Sequence, residues 1–191
     1  LATVAATADA APAAPSAPVY GALNVLQGFE GTWLNWANIQ DVPNNNWGSW
    51  SSRGNTSWRQ NTTTTINSGW SSVNGAFVVA APASGATARF HTYDSRLTQI
   101  GNLDYYVDFS SSALSKQLTF NYINTSGTDS LKVMLSTDGG VTFGPPVSVL
   151  TTSATWNTTI VNLGASMSAT CVVRFSAVSD FGITDIGIDN V

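Results

Sequence analysis

The chain has 191 residues, of which 9% are charged, and seven Lys and Arg against eleven Asp and Glu leave a formal net charge of −4. With no basic cluster to neutralise phosphates, this composition argues against nucleic acid and anionic membrane surfaces as partners. No apolar run approaches the roughly eighteen residues of a membrane helix, so no membrane insertion is expected. Ser, Thr and Asn supply polarity where Glu and Lys are nearly absent, which disfavours helices and suits an extracellular β protein.

In chain order, residues 1–18 are rich in Ala and Pro and predict a flexible linker to a neighbouring domain of a larger secreted protein. Residues 19–191 are expected to form one β domain, opening on a strand from Tyr20 to Phe29. Residues 31–74 hold six of the seven tryptophans among Asn, Ser, Thr and Gly without regular alternation, and read as long loops with short strands. Beyond Asn74-Gly75, strands are expected at Phe77–Ala80, Ala86–His91 and Asp104–Phe109. Leu118, Phe120 and Tyr122, then Leu131, Val133 and Leu135, alternate with polar neighbours at the period of a half-buried strand. Further strands are expected at Val147–Leu150, Trp156–Leu163, Thr170–Ser176 and Thr184–Val191. Many short strands between frequent turns predict an antiparallel β-sandwich, with an up-and-down barrel as the alternative.

The inventory for catalysis is thin. His91 is the only histidine, which removes zinc sites built on several imidazoles, and no Gly-x-Ser-x-Gly nucleophile turn is present. The expectation is therefore a chain that is not an enzyme. Cys171 is the only cysteine; in Thr170-Cys171-Val172-Val173-Arg174-Phe175 it reads as a buried strand residue, and no intrachain disulfide can form. Ser136-Thr137-Asp138-Gly139-Gly140-Val141-Thr142-Phe143 has the form of an Asp-box turn, in which the Asp accepts backbone N–H groups and the glycines supply positive φ; its reading is structural. Four Asn-x-Ser/Thr sequons, at Asn55, Asn61, Asn124 and Asn157, carry weight only in a eukaryotic source.

Two stretches point to binding. Glu30, the only glutamate, sits in Gly28-Phe29-Glu30-Gly31, and Asp189 in Ile188-Asp189-Asn190-Val191. A sandwich closed by its first and last strands places these acids side by side, where they need a proton or a cation between them. A structural Ca2+ is the expected cofactor, with sodium or an empty site as the alternatives. The tryptophans, chiefly Trp47, Trp50 and Trp58, are the candidates for stacking on a sugar ring, although core packing is the commoner use of such residues.

Taken together, Phe29-Glu30-Gly31-Thr32-Trp33 with Trp36 and Trp47, Ala88-Arg89-Phe90-His91-Thr92-Tyr93, Asp129-Ser130-Leu131-Lys132-Val133-Met134-Leu135-Ser136-Thr137-Asp138-Gly139-Gly140, Val173-Arg174-Phe175 and Ile188-Asp189-Asn190-Val191 resemble MAM-like jelly-roll domains of the bacterial cleaved-adhesin branch. The resemblance covers about residues 20–191. It implies a galactose-binding-like jelly roll, secreted or at the bacterial cell surface, acting as a non-catalytic accessory module for adhesion to a protein or glycan ligand, with carbohydrate binding through the Trp-rich loops as the alternative. It also implies calcium ligands at Glu30 and Asp189, with Asp104 and Asp94 as further candidates and Asp41 a weaker one. Asn190 stands where that branch often carries Asp, and the paired cysteines of the vertebrate domains are missing.

Overall fold

A computed structural model describes residues 18–35, 41–52, 58–62, 85–90, 97–124, 127–180 and 186–191. Twelve strands run in chain order: β1 (Leu34–Asn35), β2 (Asp41–Val42), β3 (Trp47–Ser51), β4 (Trp58–Thr62), β5 (Ala86–Phe90), β6 (Ile100–Val107), β7 (Lys116–Asn124), β8 (Ser130–Ser136), β9 (Ser148–Leu150), β10 (Ser153–Gly164), β11 (Cys171–Val178) and β12 (Ile186–Asp189). Ten of them form two five-stranded antiparallel sheets, a front sheet ordered β3-β6-β11-β8-β9 and a back sheet ordered β10-β7-β12-β5-β4; β1 and β2 pair separately. Apart from β4-β5 and β8-β9, every neighbouring pair in the two large sheets joins strands that are not consecutive in sequence, the crossing pattern of a jelly roll rather than of an up-and-down barrel.

Period-two alternation builds the core. Leu103, Val107, Leu131, Val133, Val173, Phe175 and Ala177 line the inner face of the front sheet, and Trp58, Ala88, Phe90, Leu118, Phe120, Ile186 and Ile188 that of the back sheet. Phe120 meets Phe175 edge to face across the interior at 5.2 Å. Trp58, fully buried on β4, donates its indole N–H to the carbonyl of Gly101 on β6 at 3.0 Å, so the ring's one polar atom is satisfied by the opposite sheet.

One expectation is corrected. The segment from Tyr20 to Phe29 is not a strand of either large sheet: Asn24 and Phe29 adopt φ of 63° and 61°, which breaks extended pairing. It forms a strap instead. Gly21 makes an isolated parallel bridge with Val107 on the front sheet, and Gln27 exchanges two backbone hydrogen bonds with Val191, at 2.8 and 3.0 Å, beyond the end of the back sheet's central strand. The Trp-rich region, read as long loops with short strands, holds β1 to β4, of which β3 and β4 each form an edge strand of one large sheet. The strand expected at Phe77–Ala80, together with His91, lies outside the described residues.

Cys171 is buried. In the turn after β8, the Ser136 and Thr142 hydroxyls both donate to the Asp138 carboxylate, and the backbone N–H of Thr142 joins them at 2.9 Å. Gly139 and Gly140 take φ of 79° and 87°, and Phe143 lies under the Arg174 guanidinium, 3.8 Å from its ring centre. The box thus staples the turn to the outer face of the front sheet.

Candidate functional site

The acids of the two chain ends meet at the back sheet. Phe29 is buried, and its carbonyl accepts N–H bonds from the Trp33 indole and from the side chain of Gln60 on β4. Gln60 also donates to the carbonyl of Gly31, so both neighbours of Glu30 are tied to β4. The Glu30 carboxylate then accepts the Ala86 N–H at 2.9 Å. It fills the space beside Gly85, where an added Cβ would fall within 1.8–2.1 Å of the carboxylate, and Gly85 itself has φ of 93°.

Asp189 is 1% exposed and accepts the Asn190 N–H at 2.7 Å. Burial pushes its carboxyl up to about 6, and the neighbouring Glu30 charge adds to the rise, against the Asn190 bond. Since Ile188 and Ala88 pair and both point into the core, Asp189 and Thr87 share the outer face of the back sheet, one residue along from that pair. The Thr87 hydroxyl is buried with no partner. Asn190 Oδ1 is close by: a Cβ on Gly28 would lie 3.7 Å from both that oxygen and Glu30 Cγ. Two carboxylates, an orphaned hydroxyl and an amide oxygen are hard neutral and anionic donors of the kind calcium takes, so the residues fit such an ion. Among the described residues no three His, Cys, Asp or Glu gather as a metal cluster, which leaves the remaining positions to neutral oxygens.

The other acidic candidates are elsewhere. Asp104 is on β6, in the front sheet, and its carboxylate accepts two bonds from Arg174 of β11, at 2.7 Å from Nε and 2.8 Å from Nη2. Burial pushes its carboxyl up while the Arg174 bonds and charge pull it down. Both its oxygens are occupied, and the structure does not bring it to Glu30 and Asp189. Asp41 belongs to β2, and Asp94 lies outside the described residues.

Of the three candidate tryptophans, two are corrected by burial. Trp47 is 1% exposed, stacked 4.8 Å from Tyr105 and edge-on to Phe29 at 5.6 Å, and Trp58 has no exposed surface. Neither has a free ring face. Trp50 is 41% exposed, because Trp47 points inward and Trp50, three residues on along β3, points out.

Register places Trp50 at one end of a row that crosses the whole front sheet. Trp50 pairs with Asn102 on β6, Asn102 with Ser176 on β11, Ser176 with Lys132 on β8, and Lys132 with Val149 on β9. The flanking residues Leu103, Phe175, Leu131 and Val133 are all core residues, so Asn102, Ser176 and Lys132 share the outer face with Trp50. Asn102 is 7% exposed, and its Oδ1 is buried with no partner. Such an acceptor costs roughly 1–3 kcal/mol unless something donates to it. An exposed indole beside an amide awaiting a donor is the arrangement that stacks on a sugar ring and reads a hydroxyl.

A cleft of about 980 Å3 opens at the side of the sandwich, under the strap and between the sheets. Its amides include Asn24, Asn46 and Asn162, its aromatic members are the buried Trp47 and Phe109 and the half-buried Tyr105, stacked on Trp47, and the Lys116 ammonium is committed to the carbonyls of Ser112 and Ser166.

No family model and no curated protein matches the chain. Solved structures do. The K3 cleaved adhesin domain of Lys-gingipain from Porphyromonas gingivalis is similar with a TM-score of 0.61 at 16% identity, over 87% of this chain and 95% of that one. The K1 domain of the same protein gives 0.60 at 15%, over 87% and 94%. The C-terminal family 22 carbohydrate-binding module of Clostridium thermocellum Xyn10B gives 0.50 at 12%, over 92% and 94%. The chain thus has the cleaved-adhesin sandwich fold that its sequence resembles, a fold it shares with carbohydrate-binding modules.

Proposed function

We propose that this chain is a non-catalytic binding module of an exported bacterial protein, and that it binds a glycan across the outer face of its front sheet. The observation that carries the reading is the pairing of Trp50, the exposed member of the three candidate tryptophans, with Asn102, whose buried Oδ1 has no partner. A ring stacked on the indole places its hydroxyls over the neighbouring strand, where one donates to Asn102 and the Ser176 hydroxyl completes the contact. The likeness in fold to a module named for carbohydrate binding supports this reading over protein adhesion. The sandwich is closed, in the same reading, by a structural calcium held by Glu30 and Asp189 with Thr87 and Asn190 as neutral donors. That ion contributes charge neutralisation where the chain ends meet and takes no part in ligand recognition.

Glycan-array screening of the wild-type chain and of Trp50→Ala tests the binding site. A defined set of glycans bound by the wild type, and weakened tenfold or more by the substitution, is the expected result, since a central aromatic anchor carries about 2 kcal/mol or more. Equal binding by both proteins would remove the site from this face.

A further inference from the structure

The row that begins at Trp50 ends on a charge. The five strands of the front sheet carry three charged residues, Asp104, Lys132 and Arg174. Asp104 and Arg174 neutralise one another in an ion pair of two hydrogen bonds, at 2.7 and 2.8 Å, and Arg174 is further covered by Phe143. Lys132 has no carboxylate partner among the described residues and stands in the same lateral row as Trp50, Asn102 and Ser176. At strand spacings of about 4.8 Å, Lys132 lies roughly 14 Å from Trp50, the span of an oligosaccharide rather than of a single sugar.

From these positions we infer that the glycan bound on this face is anionic, and that Lys132 takes its carboxylate or sulfate. The inference rests on the glycan-binding reading above and adds to it the class of glycan and the direction in which it lies. The sugar chain crosses the strands, with one ring on Trp50, hydroxyls on Asn102 and Ser176, and the acidic substituent over β8. Because Asp104 is already compensated, its charge does not repel that substituent. A Lys ammonium is a compact point charge suited to either anion without a fixed fork geometry. Val149, 55% exposed on β9, ends the row with an apolar side chain and no further polar group.

The test uses matched oligosaccharides of three or four sugars that differ in one substituent, neutral, carboxylated or sulfated, titrated against the wild type, Lys132→Gln and Trp50→Ala. The expected result is an affinity for one or both acidic members about tenfold above the neutral one at low salt. That preference is abolished in Lys132→Gln, and it shrinks with added salt in the wild type. The carboxylated and sulfated arms identify which anion is preferred. Wild-type binding that is equal for all three members, still sensitive to Trp50→Ala, overturns the anionic assignment and leaves the glycan-binding reading standing. A preference that survives Lys132→Gln overturns the role of Lys132. Loss of all binding to sugars, or binding indifferent to Trp50→Ala, overturns both.

Discussion

Glu30 and Asp189 are two residues whose environments make opposite demands. Glu30 is exposed and held by one backbone N–H, whereas Asp189 is buried beside it with its carboxyl pushed up to about 6. An ion shared by the pair removes that conflict. In the calcium reading, the melting temperature at pH 7.5 rises by about 5 °C or more between EDTA and saturating calcium, the scale set by mass action on a chain of this size. Glu30→Ala, Asp189→Ala and Gly85→Ala each abolish the rise, the last because its Cβ displaces the Glu30 carboxylate. A wild-type midpoint indifferent to calcium and EDTA would rule the ion out.

Asp104 behaves differently because its partner is a side chain. Removing Arg174 leaves a carboxylate buried without its counter-charge, so Arg174→Met should cost about 2–4 kcal/mol in urea unfolding, after allowance for the partial exposure of the guanidinium. Replacing both partners, as Asp104→Leu with Arg174→Met, should restore most of the loss. A cost under about 1 kcal/mol for the single change would show that solvent screens the pair.

At the scale of the element, the turn after β8 was fully legible. The spacing of Ser136, Asp138, Gly140 and Thr142 alone specifies which side chains meet, because every contact falls within four residues. Its Asp138 carboxyl is held down to about 2, first by the Ser136 and Thr142 hydroxyls. A folded value below the unfolded one contributes stability above about pH 4 that is lost as pH falls toward 2. Between pH 5 and pH 2 the wild-type melting temperature should therefore fall further than that of Asp138→Asn, as followed by circular dichroism. Parallel curves would mean the turn adds no proton-linked stability.

The strands beyond Gly85 were legible for a related reason: alternation of Leu118, Phe120 and Tyr122, or of Leu131 and Val133, is a local signal that tertiary packing reinforces. The strap and the positions of the Trp-rich strands were not. Tyr20 to Phe29 has strand-like composition, but Asn24 and Phe29 turn through positive φ, which no neighbouring residue advertises. β3 and β4 mix their tryptophans with Gly, Ser, Arg, Gln and Asn and lack apolar alternation, so hydrophobicity alone could not distinguish them from loop. The same difficulty hid the difference between Trp47 and Trp50, which depends on which side of one edge strand each occupies.

At the scale of the whole molecule, two sheets pack across a common core and leave two outer faces with different roles. The back sheet gathers the chain ends around Glu30, Thr87 and Asp189, and the front sheet presents the row from Trp50 to Lys132. The expected pairing of first and last strands is not found, since β12 lies between β5 and β7; the strap reaches the other end of the chain only through Gln27 and Val191. The row was not foreseeable. Its members lie up to 126 positions apart in the chain, from Trp50 to Ser176, and only the registers of three strand pairs bring Asn102, Ser176 and Lys132 into line with the indole.

The placement of the ligand on that row is the claim from which the functional reading follows, and amide chemical-shift mapping tests it directly. On titration with a glycan that the wild-type chain binds, the Trp50 indole N–H, the Asn102 side-chain amide and the backbone N–H groups of Ser176 and Lys132 should shift together along one saturation curve. Shifts confined to Asn24, Asn46 and Asn162 around the side cleft, with the Trp50 indole unmoved, would contradict it.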